Sequence, residues 1–580
     1  LALVRDRRIA HTAHALKLSP FITEIRIRFA LASLAGLLLA LAYPAPGLGG
    51  LAWFAPGLLL VSALGLTGAV AFRVGCVAGL ATQLVALRWL LHIPFPTGAI
   101  AGWLALSAYL SCFTGAWVWL ATRLIEQTFR HARIERSPVG VQMPDSQFQW
   151  FSEWRSVLEG YAALPWFRRA MLAINIAALW VAVEMVQARL FSGFPWNLLG
   201  VAMWRNAPLI QVASVAGVYG VSFLVCWCSV ALAGALLLVV FRPEKRFALL
   251  AEGRFPMIAL LILVGIGFNR MLPPREAAFE RRTFAVALMQ PSIPQQLIWD
   301  DAASPARFQK AFDLSRQAAA LRPDLLVWPE GFLPGFSEEQ FAAMTNLIHT
   351  ANVWWIFGAD DRDLGPNGKP RYYNAAVLTT PRGTTADLYR KNRLVIFGEY
   401  VPFANALPFL KWLTPIGDGF TPGTQPGRFV LGPTNTPAEI SPVICFEDIF
   451  PHYLRRHVTP TTDFLLELTN DGWFGESGAQ WQHCANAAFR AVENRVPLVR
   501  CANNGLTCWV DEFGRLRDQL GENRGNVYGP GFLHINVPLL APGETRVPTF
   551  YHEHGDVFGW ACVGLGALTL GRVWLAARRT

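Results

Sequence analysis

Pro442-Val443-Ile444-Cys445-Phe446-Glu447-Asp448 is apolar and β-branched up to a cysteine, and then turns acidic. A short apolar run bounded in this way reads as a buried strand. Two other strands stop in the same manner. Leu325-Leu326-Val327-Trp328-Pro329-Glu330 halts at a proline and presents a carboxylate. Tyr389-Arg390-Lys391-Asn392-Arg393-Leu394-Val395 puts a lysine at a strand end, and Phe397-Gly398-Glu399-Tyr400-Val401-Pro402 follows. Between 283 and 540 such stretches alternate with helical ones near 304–321 and 337–350, which predicts a mixed α/β domain.

Outside that domain the chain changes character. Only 16% of its 580 residues are charged and 53% are hydrophobic, against about 25% charged for an average soluble chain. No charge occurs from Phe29 to Phe72, from Ile93 to Thr122, or from Asn206 to Phe241. This excludes a wholly soluble protein and a disordered one. About 20 apolar residues in a helix cross about 30 Å of hydrocarbon. Breaking the first uncharged run at Pro44-Ala45-Pro46-Gly47 gives eight expected spans, near 29–43, 48–66, 70–91, 97–122, 170–190, 215–240, 255–271 and 556–573. The expected organisation is a polytopic α-helical membrane domain at 1–275 with about seven helices, a soluble domain at 276–555, and a last helix with its tail at 556–580.

Lys and Arg accumulate in cytoplasmic loops. Here they lie before residue 29 (Arg5, Arg7, Arg8, Lys17, Arg26, Arg28) and in a 127–168 loop read as cytoplasmic, whereas the turns at 44–47 and 92–96 have none. The 276–555 domain is therefore expected outside the cytoplasm, and the net charge of +10 is a topology signal rather than a nucleic-acid footprint. The apolar run after the basic N-terminal residues continues into a second span, so a retained anchor is expected rather than a cleaved signal. The nine cysteines form no dense disulfide framework, although an extracytoplasmic setting would permit Cys501 and Cys508 to pair. No spacing suggests a metal site, and none is expected.

Singly, each strand-end residue has an ordinary explanation: a solvated glutamate, a surface lysine, a cysteine packed in a core. Together, in the order Glu330, Lys391, Cys445, they resemble the Glu-Lys-Cys triad of the nitrilase (carbon–nitrogen hydrolase) superfamily. That resemblance implies a four-layer α-β-β-α sandwich. Met289-Gln290-Pro291-Ser292-Ile293-Pro294-Gln295 with Trp299, the run from Lys391 to Pro402, Asn470-Asp471-Gly472-Trp473-Phe474, and Phe191-Ser192-Gly193-Phe194-Pro195-Trp196-Asn197 narrow it. These are similar to the apolipoprotein N-acyltransferase family, membrane half included. The chain departs from the family pattern at Ile396, where proline is usual, at Phe446, where tyrosine is common, and in a longer 127–168 loop.

The resemblance implies a multi-pass protein of the bacterial inner membrane with a periplasmic catalytic domain. It would be a monomer using a phospholipid acyl donor and a diacylglyceryl apolipoprotein acceptor, without a cofactor. By the same resemblance Cys445 is the nucleophile, Glu330 the general base, and Lys391 the oxyanion stabiliser together with a backbone N–H near Phe446. Glu399 and Glu447 would orient the lysine or the acceptor amine. The alternatives are a structural salt bridge for Glu399 and helix capping for Glu447 and Asp448. Phe446 is expected to affect how the acyl chain or acceptor is held. The run Val401–Thr424, with Phe409 and Trp412, is too apolar for a solvated loop and is expected to be a lid facing the bilayer or else a segment packed on the membrane helices. Two other readings use the same chain. One is a membrane-tethered amidase acting on a small amide. The other is a transporter, for which Glu184 would be the intramembrane acid.

Overall fold

The computed structural model describes residues 20–134, 152–241, 252–272, 282–298, 300–331, 337–404, 406–414, 419–521 and 527–578. Most of the basic N-terminal residues, the centre of the 127–168 loop, and Trp299 lie outside them.

The membrane half contains α1 (Pro20–Ala42), α2 (Ala55–Ser62), α3 (Gly68–Ala86), α4 (Pro96–Ile134), α5 (Trp166–Gln187), α6 (Ala213–Phe241) and α7 (Arg254–Arg270). Among the described residues, five helices, α1 and α3 to α6, are long and apolar enough to cross a membrane. The expected span at 48–66 is different: a 3-10 turn at Gly49–Trp53 and then only the eight residues of α2, about 12 Å of helix. It still runs back along α1 from Leu41 to Arg28. Leu48 N donates to Leu41 O at 3.0 Å, and at the other end the Arg28 guanidinium donates to Ser62 O at 3.2 Å and Leu64 O at 2.6 Å. Hydropathy sees an apolar stretch of the right length and not the turn inside it.

The described ends of the 127–168 segment are helical. Helix α4 continues to Ile134, and Ser152–Ala163 is a helix whose Trp154 ring lies 5.0 Å from the Arg28 guanidinium. Glu184 on α5 accepts from Trp180 Nε1 and Leu199 N, both at 2.8 Å, so it braces the backbone after α5. The transporter reading loses its residue.

Among the described residues the α/β domain has two six-stranded sheets, β12-β1-β2-β3-β4-β5 and β11-β10-β9-β8-β7-β6. The first contains β1 (Thr283–Gln290), β2 (Leu325–Val327), β3 (Trp354–Leu364), β4 (Pro370–Thr379), β5 (Thr385–Arg390) and β12 (Gly531–Pro538). The second contains β6 (Phe429–Leu431), β7 (Ala438–Ile444), β8 (Phe464–Thr469), β9 (Leu498–Ala502), β10 (Cys508–Val510) and β11 (Leu516–Gln519). Each has a parallel centre, β1-β2-β3 and β7-β8-β9. Strand alternation gives each sheet an inner face and an outer face. Val286, Leu288, Val327, Ile440, Leu466 and Val499 meet in the core between the sheets. Helices α8 (Ser304–Ala319) and α9 (Glu338–Ala351) cover the outside of the first sheet through Phe308, Ala311, Met344 and Ile348. Helix α10 (Ala479–Asn494) covers the second, and α11 (Val557–Arg578) follows the domain. The expected α-β-β-α layering is present.

The permitted Cys501–Cys508 pair is absent, and alternation explains why. Cys508 sits opposite Arg500, so it shares the outer face with that residue, while Cys501 points inward. Its Sγ faces Met289 O and Val327 O at 3.3 and 3.4 Å, and both cysteines are free thiols.

Helix α10 is also the contact with the membrane half. Gln482 on α10 accepts from Trp196 Nε1 at 2.7 Å and Trp89 Nε1 at 3.1 Å, and donates to Ala86 O at 3.1 Å. Asn486 donates to Trp196 O at 2.8 Å, and Glu493 accepts from Val218 N at 2.9 Å. The Phe191–Asn197 segment is thus a seat for the domain.

Candidate active site

Parallel strands end together, and their carboxyl ends are where α/β proteins bind ligands. Glu330 follows β2, Lys391 follows β5 in the same sheet, and Cys445 follows β7 in the other, so each sheet contributes to one cleft. The Lys391 N–H bonds Asn374 O on β4 at 2.8 Å, which fixes where its side chain starts.

The lysine is only 1% exposed. Its Nζ lies 3.0 Å from Glu330 Oε1 and 2.9 Å from Glu399 Oε1. Asn374 Nδ2 donates to the same two oxygens, at 2.7 and 2.8 Å. Glu330 Oε2 accepts from Asn470 N at 3.0 Å, and Glu399 Oε2 from Val395 N at 2.9 Å. Each carboxylate is therefore aimed by two or more donors, and each donor is anchored to a strand or the turn after one. Burial alone would lower the Lys391 pKa, but Glu330, Glu399 and Cys445 outweigh it and hold the pKa well above the ordinary value, which favours the ammonium.

Cys445 opens a 3-10 turn, Cys445–Ile449, with φ +50. A side-chain residue in that left-handed region costs about 1–3 kcal/mol. The turn points the thiol out of the strand line and leaves the Phe446 N–H, at the start of the turn, without an intrahelical carbonyl. Burial pushes the thiol pKa well up; Glu330 and Asp471 add to this, and Lys391 opposes it. A buried thiol of this kind stays protonated until a base takes the proton.

Glu447 binds backbone at two places. Oε2 accepts from Ile444 N at 2.8 Å, capping the turn, while Oε1 accepts from Asn392 N at 2.7 Å and Arg393 N at 3.0 Å, pinning the residues just after the lysine. Tyr389 and Tyr453 hydroxyls complete its shell at 2.7 and 3.1 Å. Burial raises its pKa and the Ile444 N–H opposes the rise. Asp448 is not a capping residue: it is wholly buried against His483 and Arg500. Phe446 is half-buried, with its ring 6.0 Å from Phe194 of the membrane half. Trp412 does not join the cluster. It lies on the 3-10 turn Pro408–Leu413 at 82% exposed, with Phe403 at 72% and Phe409 at 53%, so these residues do not pack on the membrane helices.

Asp448, Glu467 and His483 offer ligand atoms within 4.8 Å of one another. Arg500 already fills that space, with Nη1 2.6 Å from both Glu467 oxygens and 3.2 Å from Asp448 Oδ2. The group is an ion-pair network. Asn374 and His483 are not evident from the sequence; an amide side chain within the buried part of β4 is the available signal for the first.

Residues 285–528 match the carbon-nitrogen hydrolase family, and residues 35–231 match the apolipoprotein N-acyltransferase N-terminal domain. The apolipoprotein N-acyltransferase of Geobacter metallireducens is 33% identical, covering 97% of this chain and 98% of its own length. That of Brucella suis is 31% identical over 73% of this chain and 77% of its own. Among solved structures, an amidase of the nitrilase superfamily from Nesterenkonia AN1 aligns over 45% of this chain and 92% of its own, with 19% identity and a TM-score of 0.32. With one family matched in each half and a relative matched along its whole length, the chain belongs to the apolipoprotein N-acyltransferase family.

Proposed function

We propose that the protein transfers a fatty acyl group from a membrane phospholipid to the α-amino group of the S-diacylglyceryl cysteine that begins an apolipoprotein. The observation that carries this reading is one buried cluster, Glu330, Lys391, Glu399 and Cys445, in a domain seated on membrane helices through α10.

In the first step Glu330 takes the Cys445 proton as the sulfur attacks the ester carbonyl. The carbonyl oxygen gains negative charge beside the Lys391 ammonium and the Phe446 N–H. Collapse breaks the ester C–O bond, Glu330 returns the proton to the leaving alkoxide, and a lysophospholipid departs from the thioester. In the second step the acceptor amine attacks the thioester carbonyl through a like intermediate. Glu330 accepts a proton from the nitrogen, the C–S bond breaks, and the proton returns to sulfur. Glu399 and Asn374 keep Lys391 and Glu330 in register throughout. The thiol, carboxylate and ammonium supply every proton and charge transfer, so no cofactor is invoked.

The placement proposed is a bacterial inner membrane with the catalytic domain on the periplasmic face, supported by basic residues at the other ends of the spans. A monomer has all the groups needed. Phe403, Phe409 and Trp412 would lie on the bilayer and admit lipid sideways. Hydrolysis of a small amide by the same residues leaves this apolar rim without a use.

Intact mass of the purified protein after mixing with phospholipid tests the proposal. A fatty-acyl adduct on Cys445 that a diacylglyceryl peptide amine discharges is expected. Discharge by water alone, or an adduct that survives Cys445→Ala, would overturn it.

A further inference from the structure

His483 lies within α10 with both ring nitrogens engaged: Nδ1 is 2.8 Å from Asp471 Oδ1 and Nε2 is 2.8 Å from Asp448 Oδ1. Ionised carboxylates only accept, so both nitrogens must donate, and the ring that satisfies this arrangement is the imidazolium. Its partners belong to the two loops that make the site. Asp448 is in the turn opened by Cys445. Asp471 follows Asn470, whose N–H holds Glu330 Oε2 at 3.0 Å.

We propose that His483 is a positioning residue: as a buried imidazolium it ties the nucleophile's turn to the loop bracing the base, and its charge sets how readily Cys445 releases its proton. The inference rests on Cys445 being the nucleophile. The other groups facing the ring are Glu467 on β8, 3.5 Å from Nε2, and Arg500 on β9, which bonds Asp448, Glu467 and Asp471. The Trp196 ring of the membrane half lies 5.2 Å away. The thiols of Cys484 and Cys508 are 3.8 Å apart beside the same network. Facing Cys445 are Glu330, Lys391, Asp471 and the Thr469 hydroxyl. Burial opposes a charge on His483, but Asp448 and Asp471 outweigh it and hold the pKa well above the ordinary value.

Removing the imidazolium charge makes the network one unit more negative, with Asp471 the nearest part of it to feel the thiol. A negative charge there disfavours the thiolate. The neighbouring Gln482 is held by Trp89 and Trp196, so the ring's position depends on the seating of the catalytic domain on the membrane half.

The test is the pH dependence of Cys445 alkylation by iodoacetamide in the full-length protein in detergent, followed by intact mass. H483Q is expected to move the profile to higher pH and to slow alkylation at a given pH by about ten-fold, the effect of one pKa unit. The double variant H483Q/D448N removes one acid with the cation and is expected to return the profile to within about three-fold of the parent, less than half a pKa unit. It also provides the result if H483Q does not fold, since it carries no uncompensated charge. A folded H483Q with an unchanged profile would overturn the proposal. So would a double variant as displaced as the single, or failure of both to fold, which would make the ring a packing element only. Alkylation reads the thiol and not acyl transfer, so this proposal and the assignment of substrate fail separately.

Discussion

The two outer helical layers of the catalytic domain are alike in length and differ in surroundings. Helix α8 is amphipathic in the ordinary way: Phe308, Ala311 and Ser315 face the first sheet, while Gln309, Arg316 and Gln317 are exposed. All sixteen residues of α10 are buried, including Gln480, Gln482, His483, Asn486, Arg490, Glu493 and Asn494. A buried polar side chain is tolerated only when it is bonded. The outward side of α10 meets these needs with tryptophan N–H groups and backbone of the membrane half, its inward side with the acids and arginine of the second sheet. The sheet that ends in Cys445 therefore depends on the membrane half for its outer packing, whereas α8 on the sheet that ends in Glu330 turns its polar residues to solvent.

That contrast can be broken most directly with one buried charge. Ala488→Glu on α10 is expected to cost about 3–5 kcal/mol by burying an unpaired carboxylate, whereas Gln317→Glu on α8 should stay within about 0.5 kcal/mol. Thermal unfolding in detergent measures both, and similar losses would remove the distinction.

The water-excluded side also includes His457, 2% exposed, with its ring 4.9 Å from that of Tyr453. Burial lowers its pKa from 6.5 to about 4. Between those values the unfolded chain binds the proton and the folded protein does not, so stability falls as pH drops from 6.5 towards 4 and is fully retained above 6.5. The loss approaches about 3 kcal/mol. His457→Phe should flatten that acid slope in melting temperatures taken from pH 4.5 to 7, and an unchanged slope would count against it.

A smaller effect is expected at the apolar rim. Phe409→Asp and Trp412→Asp should reduce acyl transfer from vesicle phospholipid by about ten-fold, about 1.4 kcal/mol, with little change toward a short soluble ester. Equal losses on both donors would make the rim a structural feature. Smallest is Trp196→Phe, which deletes the N–H to Gln482 with the pyrrole half of the indole and keeps a six-membered aromatic ring; about 1 kcal/mol is expected, visible as a lower melting temperature with the acyl adduct still formed.

What the sequence disclosed follows from what is local. Pro442–Ile444 and Leu325–Val327 are buried on both faces, so each strand is a continuous apolar run that stops at its reactive residue, and Glu330, Lys391, Glu399 and Cys445 could be located from these stops and the family resemblance. The break inside 48–66 could not, because an apolar turn and an apolar helix have the same hydropathy. Nor could the contacts of His483. Gln480-Trp481-Gln482-His483 reads as an ordinary polar stretch of helix, and the ring's partners Asp448 and Asp471 come from separate segments brought together only by the second sheet. Asp448 was misread for the same reason: helix capping is a local pattern, and its actual partners are distant in sequence.

The exposed ring of Trp412 and its neighbours has a kinetic consequence. A donor that enters from within the bilayer is met as a surface density, moles of donor per mole of total lipid, and not as a number of molecules per litre. Rates should then fall when inert lipid is added at fixed bulk donor, and stay constant when donor-bearing vesicles are diluted with buffer. An enzyme working in this way is tuned by the composition of its membrane, whatever the volume of the compartment it faces.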